Sequence, residues 1–274
     1  MTLNCRGKLI DVSTPKVMGI LNVTPDSFYD GGKYKSDMAI LLQTEKMLKE
    51  GATFIDVGAY SSRPGAKQVS EDEELNRVLP IVELILKNIP EALLSIDTFR
   101  SEVAKHCVEI GASMINDISA GKLDDKMIPV VGKLGVPYII MHMRGNPQNM
   151  QKRTDYKDLL REVIYYFSER IDLAKRHQIK DIIIDPGFGF SKTLEQNYDL
   201  LNQLDLLQIL HLPILVGASR KSMIYKLLKT GPNEALNGTT SINTIALLKG
   251  ANILRVHDVN EAMECITIAN HLNS

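Results

Sequence analysis

The sequence predicts a single closed (β/α)8 barrel spanning residues 1–274, with an open doubly wound sheet as the runner-up architecture. Short β-rich apolar runs alternate with amphipathic segments along the whole chain. There are eight such runs, the number a closed barrel needs, and 274 residues is a normal length for one. No low-complexity linker, internal repeat or shift of composition marks a boundary.

Strands are expected at 17–21, 53–57, 93–97, 113–116, 137–142, 181–185, 213–218 and 252–257. Their few polar interruptions suit parallel strands covered on both faces by other structure. Helices are expected between them. In 37–50, Ile40, Leu41, Met47 and Leu48 share one face, and Gly51 supplies a stop. Ser70 and Glu73 form a capping box, and the acidic run Glu71–Glu74 favours a helix N-terminus. Leu75, Val78, Leu79, Val82 and Ile85 continue as an apolar stripe, with Pro80 placed to kink it. Further helices are expected over 100–110, 124–134, 155–177, 193–210, 221–229, 233–249 and 260–272.

Lysine and arginine number 32 against 33 acidic residues, so bulk charge gives no reason to expect a nucleic-acid or membrane partner. Cys5, Cys107 and Cys265 are odd in number and form no CxxC, which argues against a disulfide scaffold or zinc site and fits a reducing cytoplasm. Neither a signal peptide nor a spanning helix is expected.

The strand ends are the informative places. Catalytic groups of a barrel sit at the C-terminal ends of its strands and on the loops after them. Here those positions carry Asn22, Asp56, Asp97, Asn116 with Asp117, His142, Asp185, the run Ser219-Arg220-Lys221, and Arg255 with His257. Any one of them also suits a helix cap or a rim hydrogen bond. Polar groups at nearly every strand end favour one shared site. Arg255 and His257 alternate on a strand and so face one way, as a phosphate or diphosphate site requires; an ion pair with Asp258 is the plainer alternative. Ser219 and Lys221 form a similar pair beside Gly217, where backbone can approach a ligand closely. Asp97, Asn116 and Asp185 suit a flat heterocycle rich in N–H donors. The segments after the first two strands are long for such connections, as mobile barrel loops or ordinary surface loops are. There is no Walker P-loop and no HExxH, and Gly187-Phe188-Gly189 lacks the third glycine of a dinucleotide fingerprint.

Taken together, MGILNVTPDSF (18–28), SIDTFR (95–100), IND (115–117), MHMRGNPQNM (141–150), DPGFGFSKT (185–193), SRKS (219–222) and RVHDV (255–259) closely resemble the dihydropteroate synthase family, in family order. The resemblance implies a (β/α)8 barrel that joins a dihydropterin methyl diphosphate to p-aminobenzoate and releases pyrophosphate, a step of folate biosynthesis and a sulfonamide target class. It implies that Asp97, Asn116, Asp185 and Lys221 bind the pterin, with Met141 and Gly217 beside it. It assigns the diphosphate to Asn22, Arg63, Arg255 and His257, with Asn22 also near Mg2+. It assigns p-aminobenzoate to Phe28, Ser62, Pro64, Phe190 and Ser222, alongside Lys221. Asp97, Lys221 and Arg63 are the implied catalytic groups, and a homodimer is the family habit. One stretch departs: where the family usually reads Gly-Gly-Glu-Ser-Thr-Arg-Pro-Gly, residues 58–65 read GAYSSRPG, so Ala59 and Tyr60 differ.

Three other readings meet the same residues. A pterin-dependent methyltransferase accounts for the pterin set but not for SRKS and RVH together with Arg63-Pro64. A degenerate, non-catalytic pterin-binding subunit would not need Asn22, Lys221, Arg255 and His257 intact. An aldolase would use Lys221 as a Schiff base, its pKa lowered by Arg220.

Overall fold

A computed structural model describes residues 1–23, 33–60 and 69–272. The chain opens with an antiparallel hairpin, β1 (Thr2–Cys5) and β2 (Lys8–Asp11). Its two-residue turn is Arg6-Gly7, with φ of 54° and 84°, the paired left-handed conformation that a tight hairpin favours. No strand is expected here from the residue pattern.

Eight parallel strands come next: β3 (Lys16–Asn22), β4 (Phe54–Gly58), β5 (Leu94–Asp97), β6 (Met114–Asp117), β7 (Tyr138–Met141), β8 (Ile182–Asp185), β9 (Leu215–Val216) and β10 (Ile253–Val256). Their order is β8-β7-β6-β5-β4-β3-β10-β9, and a parallel bridge between Ile184 and Ile214 joins the two ends into a barrel. All eight expected strands are present, each shifted by a few residues at most. β9 is much shorter than the expected 213–218: Pro213 has no N–H to give the ladder, and Gly217 and Ala218 lie beyond the paired residues.

Among the described residues, helices α1 (Lys33–Lys49), α2 (Glu71–Asn88), α3 (Ser101–Glu109), α4 (Met127–Leu134), α5 (Leu159–Arg176), α6 (Leu194–Asn202), α7 (Ser222–Leu228), α8 (Leu236–Leu248) and α9 (Val259–Leu272) surround the strands. Two expectations need correction. Only half of the capping box forms: Ser70 Oγ accepts from Glu73 N, but the Glu73 carboxylate turns to Arg77, one turn along the helix. The expected helix over 193–210 breaks at Gln203, and Leu204–Leu210 continues as a 3-10 helix. Pro80 sits within a continuous α2.

Strand alternation separates two cores. Outward residues such as Val17, Ile55, Ile96, Ile115, Ile140, Ile184 and Leu254 pack under the helices. Inward residues Met18, Phe54, Met114, Ile139, Ile183, Leu215 and Ile253 fill the barrel's N-terminal half, where Leu3, Cys5, Ile10 and Val12 of the hairpin close it. The hairpin is tied there by Asn4 N to Asp181 (2.8 Å) and by Arg6 to the Gly111 carbonyl (2.6 Å). With one end plugged by apolar side chains, the inward positions left for chemistry are those at the other end. All three cysteines are free and buried. No described helix is long and apolar enough to cross a membrane.

Candidate active site at the mouth of the barrel

Counting in twos along each strand from the apolar layer reaches the polar residues directly. Met18 leads to Asn22, Phe54 to Asp56 and Gly58, Met114 to Asn116, Ile139 to Met141, Ile183 to Asp185, Leu215 to Gly217, and Ile253 to Arg255 and His257. In β5, Ser95 and Asp97 share that parity through their pairing with Met114 and Asn116. Asp117 has the opposite parity. It lies outside the barrel wall, where Ser119, Gly121 and Tyr138 satisfy it, and so serves the fold.

Arg255 is the centre of the polar layer. Its Nε donates to Asp56 Oδ2 (2.6 Å) and an Nη donates to Asp97 Oδ2 (2.8 Å). Asn116 donates to the same Asp56 oxygen (3.0 Å), while Asp56 Oδ1 is buried with no hydrogen-bond partner. Arg255 therefore faces Asp56 and Asp97, and Asp258 pairs with Arg220 instead (2.8 Å). Burial works against the Arg255 charge, but Asp56 and Asp97 outweigh it and raise its pKa. Burial pushes Asp97 up to about 7, with Arg255 opposing and Asp56 and Glu74 adding to the rise. Asp185 is also raised by burial, against the pull of Lys221. Lys221 is lowered to about 8 by burial, with Asp185 opposing and Arg255 contributing. Arg220, suggested by sequence as the cause, turns away to Asp258.

Two loops frame this layer. After β8, Gly187 N donates to Asp185 Oδ1 (2.7 Å), and the Phe188 carbonyl accepts from Lys221 Nζ (2.8 Å). The same Nζ stands 4.7 Å over the Phe190 ring. Ser222 opens α7 beside it. After β9, Ser219 Oγ lies 3.0 Å from His257 Nδ1 and accepts from the His257 amide (3.2 Å). Gly58 adjoins both groups: a Cβ there would make ordinary contact with Asp97 Cβ (3.5 Å), Asp97 Oδ2 and Asn22 Oδ1 (3.7 Å each).

A family model described as pterin binding enzyme matches residues 18–257. Dihydropteroate synthase of Escherichia coli K12 is 44% identical over 270 residues, covering 98% of this chain and 95% of that protein. The chain belongs to the dihydropteroate synthase family of pterin-binding enzymes. Its Synechocystis relative of that name is 45% identical over 93% of this chain and 89% of that protein. The Yersinia pestis dihydropteroate synthase in a sulfonamide drug complex superposes with a TM-score of 0.92 at 41% identity, covering 100% of this chain and 99% of that one. The Xanthomonas albilineans enzyme with 4-aminobenzoic acid gives 0.92 at 37% identity, covering 100% and 98%.

Asn22, Asp97, Asn116, Met141, Asp185, Gly217, Arg255 and His257 thus share one inward-facing end, with Lys221, Phe190 and Ser222 on the loops above. Phe28, Ser62, Arg63 and Pro64 lie outside the described residues. Three placements differ from what the sequence indicated. Asp56, a strand-end candidate with no assigned role, carries Arg255. Tyr60, at one of the two departures from the family pattern, buries its ring edge-on to Phe99 (5.3 Å) and brings its hydroxyl 3.3 Å from Asp97 Oδ1. His142, a strand-end candidate, is buried against Lys192 rather than in the polar layer.

Proposed function

We propose that this barrel mouth carries out the dihydropteroate synthase reaction, with the roles divided by depth. The observation that carries the assignment is the convergence of Asp97, Asn116, Asp185, Lys221 and Arg255 from separate strands and loops onto one end of the barrel. Asp97, Asn116 and Asp185 pair with the N–H edge and amino group of the pterin, and Lys221 donates to the ring oxygen and N5. Met141 supplies apolar wall, and Gly217 lets backbone come close.

The diphosphate falls to Asn22, Arg63, Arg255 and His257. Arg255 commits two of its donors to Asp56 and Asp97, which fixes the plane in which its remaining N–H groups meet the phosphate oxygens. Among the described residues no group of three or more His, Cys, Asp or Glu could cage a metal ion. The Asn22 carboxamide oxygen beside Gly58 is a hard donor that would suit a Mg2+ shared with the diphosphate. Such an ion would neutralise charge on the leaving diphosphate.

The C–O bond breaks with its electrons leaving on the diphosphate. Asp97, ionised, stabilises the pterin methylene cation. The arylamine nitrogen of p-aminobenzoate then attacks that carbon and sheds a proton. Phe190, Phe28 and Pro64 hold the aromatic ring, and Ser222 and Ser62 with Lys221 hold its polar ends.

A homodimer in the cytoplasm completes the reading. Leu206, Ile209, Leu227, Leu228, Leu248 and Ile268 are all exposed, and they lie on a run of neighbouring helical segments, which suits self-association. Sedimentation at micromolar concentration tests this, and a monomer would refute it. The reaction itself is tested by pyrophosphate release, which should require both substrates and Mg2+. Release with the pterin substrate alone would identify a hydrolase.

A further inference from the structure

Lys192 has no part in the reaction as described, yet it is one of the most constrained polar groups in the molecule. It is 3% exposed, and its Nζ lies 3.0 Å from each of the Gly187 carbonyl, the Phe190 carbonyl and His142 Nδ1. Three acceptors match the three N–H bonds of the ammonium form, whose pKa burial draws down to about 7 against the pull of Asp185; in that form the neutral His142 ring carries its proton on Nε2. The imidazole is held in turn, edge-on to Tyr166 at 4.8 Å.

The segment it grips is a demanding one. Gly187, Gly189 and Ser191 have φ of 71°, 82° and 46°, so left-handed residues alternate along the loop. Such a backbone persists only where its surroundings over-determine it, the more so at a serine. A Cβ on Gly187 would lie 2.2 Å from the His142 carbonyl. Each of the loop's four carbonyls has a side-chain donor. Lys192 takes those of Gly187 and Phe190, Lys221 takes Phe188 and Gln151 takes Gly189. The Phe190 amide closes the turn onto the Gly187 carbonyl (3.1 Å), and Lys192 is the side chain that holds both of these end residues.

We propose that Lys192 is a positioning residue: it clamps the Gly187–Phe190 turn and so places the Phe190 ring and the carbonyl on which Lys221 rests. It touches neither substrate. The consequence for catalysis rests on the assignment of Phe190 to p-aminobenzoate and Lys221 to the pterin, whereas the clamp itself does not. Phe190 is held directly, while Lys221 is also drawn by the charge of Asp185. Loss of the clamp should therefore fall more on p-aminobenzoate than on the pterin substrate.

Lys192→Met keeps the length and removes the donors. With fluorophenylalanine incorporated, the 19F signal of Phe190 (assigned by its loss in Phe190→Leu) should move in this variant, while those of the core residues Phe54 and Phe167 stay in place. The KM for p-aminobenzoate should rise about tenfold, with a much smaller change in that for the pterin diphosphate. A Phe190 signal at its wild-type position overturns the proposal. So does movement of all the core signals together, since it would mean general loosening. A moved Phe190 signal with an unchanged KM upholds the clamp and counts instead against the assignment of Phe190 to p-aminobenzoate. Should Lys192→Met not fold, His142→Leu withdraws one of the three acceptors, and the same Phe190 readout decides in the same direction.

Discussion

Asp185 stands at the inner end of β8, its Oδ1 already accepting from Gly187 N. Its remaining acceptor capacity is buried, so a pterin N–H reaching it forms a charge-assisted bond. Asp185→Asn should weaken pterin binding by about 1.5–3 kcal/mol, read by calorimetry with a pterin that lacks diphosphate. Wild-type affinity would remove Asp185 from the site. In the proposed mechanism Asp97 and Lys221 set a pH window. Asp97 is held up near 7 by burial and must be ionised to stabilise a cation; Lys221 is drawn down to about 8 by burial and must be protonated to donate. The kcat/KM for the pterin substrate should therefore rise through about 7 and fall through about 8, a narrow bell. A profile flat from pH 6 to 9 would contradict these roles. The same burial makes Asp97 costly to the fold. Its folded pKa lies above the unfolded value of about 3.9, so the native state binds the extra proton, and stability is lost as pH rises from about 4 to about 7. Asp97→Asn should accordingly raise Tm more at pH 8 than at pH 5, as expected where a site is built against stability.

The N-terminal hairpin and the barrel's apolar lower layer are one structural unit. Leu3 is 1% exposed and packs among the inward residues of the strands, far from the polar mouth. Leu3→Ala should cost about 2–5 kcal/mol in urea unfolding, while kcat and both KM values of the folded enzyme stay near wild type. A changed KM would mean that the plug also shapes the mouth. At the other end, the root of the second loop is secured from α2 and from the N-cap of α3. Arg77, paired with Glu73, donates to the Ala59 carbonyl, and Arg100, paired with buried Glu74, donates to Val69. The two residues of the family pattern that differ here therefore begin a segment whose ends are both anchored. Tyr60 adds a donor to Asp97 that a carboxylate at the same position would not supply while ionised.

Across the whole molecule, the eight strands were legible because a parallel strand covered on both faces leaves a largely apolar run, as Ile139–Met141 and Ile182–Ile184 show. The strand-end residues were legible because barrel chemistry collects there. The hairpin was not, since two four-residue strands are too short for a period to stand out and Arg6-Gly7 is an ordinary dipeptide. The roles of Asp56, named only as a strand-end residue, and of Lys192 were not legible for a different reason: each side chain holds another group, and sequence spacing does not reveal which side chain a buried charge will meet.

The proposed activity is the binding of the pterin diphosphate by one polar layer at the barrel mouth and the transfer of its pterin-methyl group to p-aminobenzoate. It is tested most directly by following dihydropteroate and pyrophosphate together in the purified protein and in Asp185→Asn, with both substrates and Mg2+ present. The two products should appear one for one in the wild type and only when both substrates are supplied, and both should fall together in the variant. Pyrophosphate without dihydropteroate, or a variant as active as wild type, would contradict it.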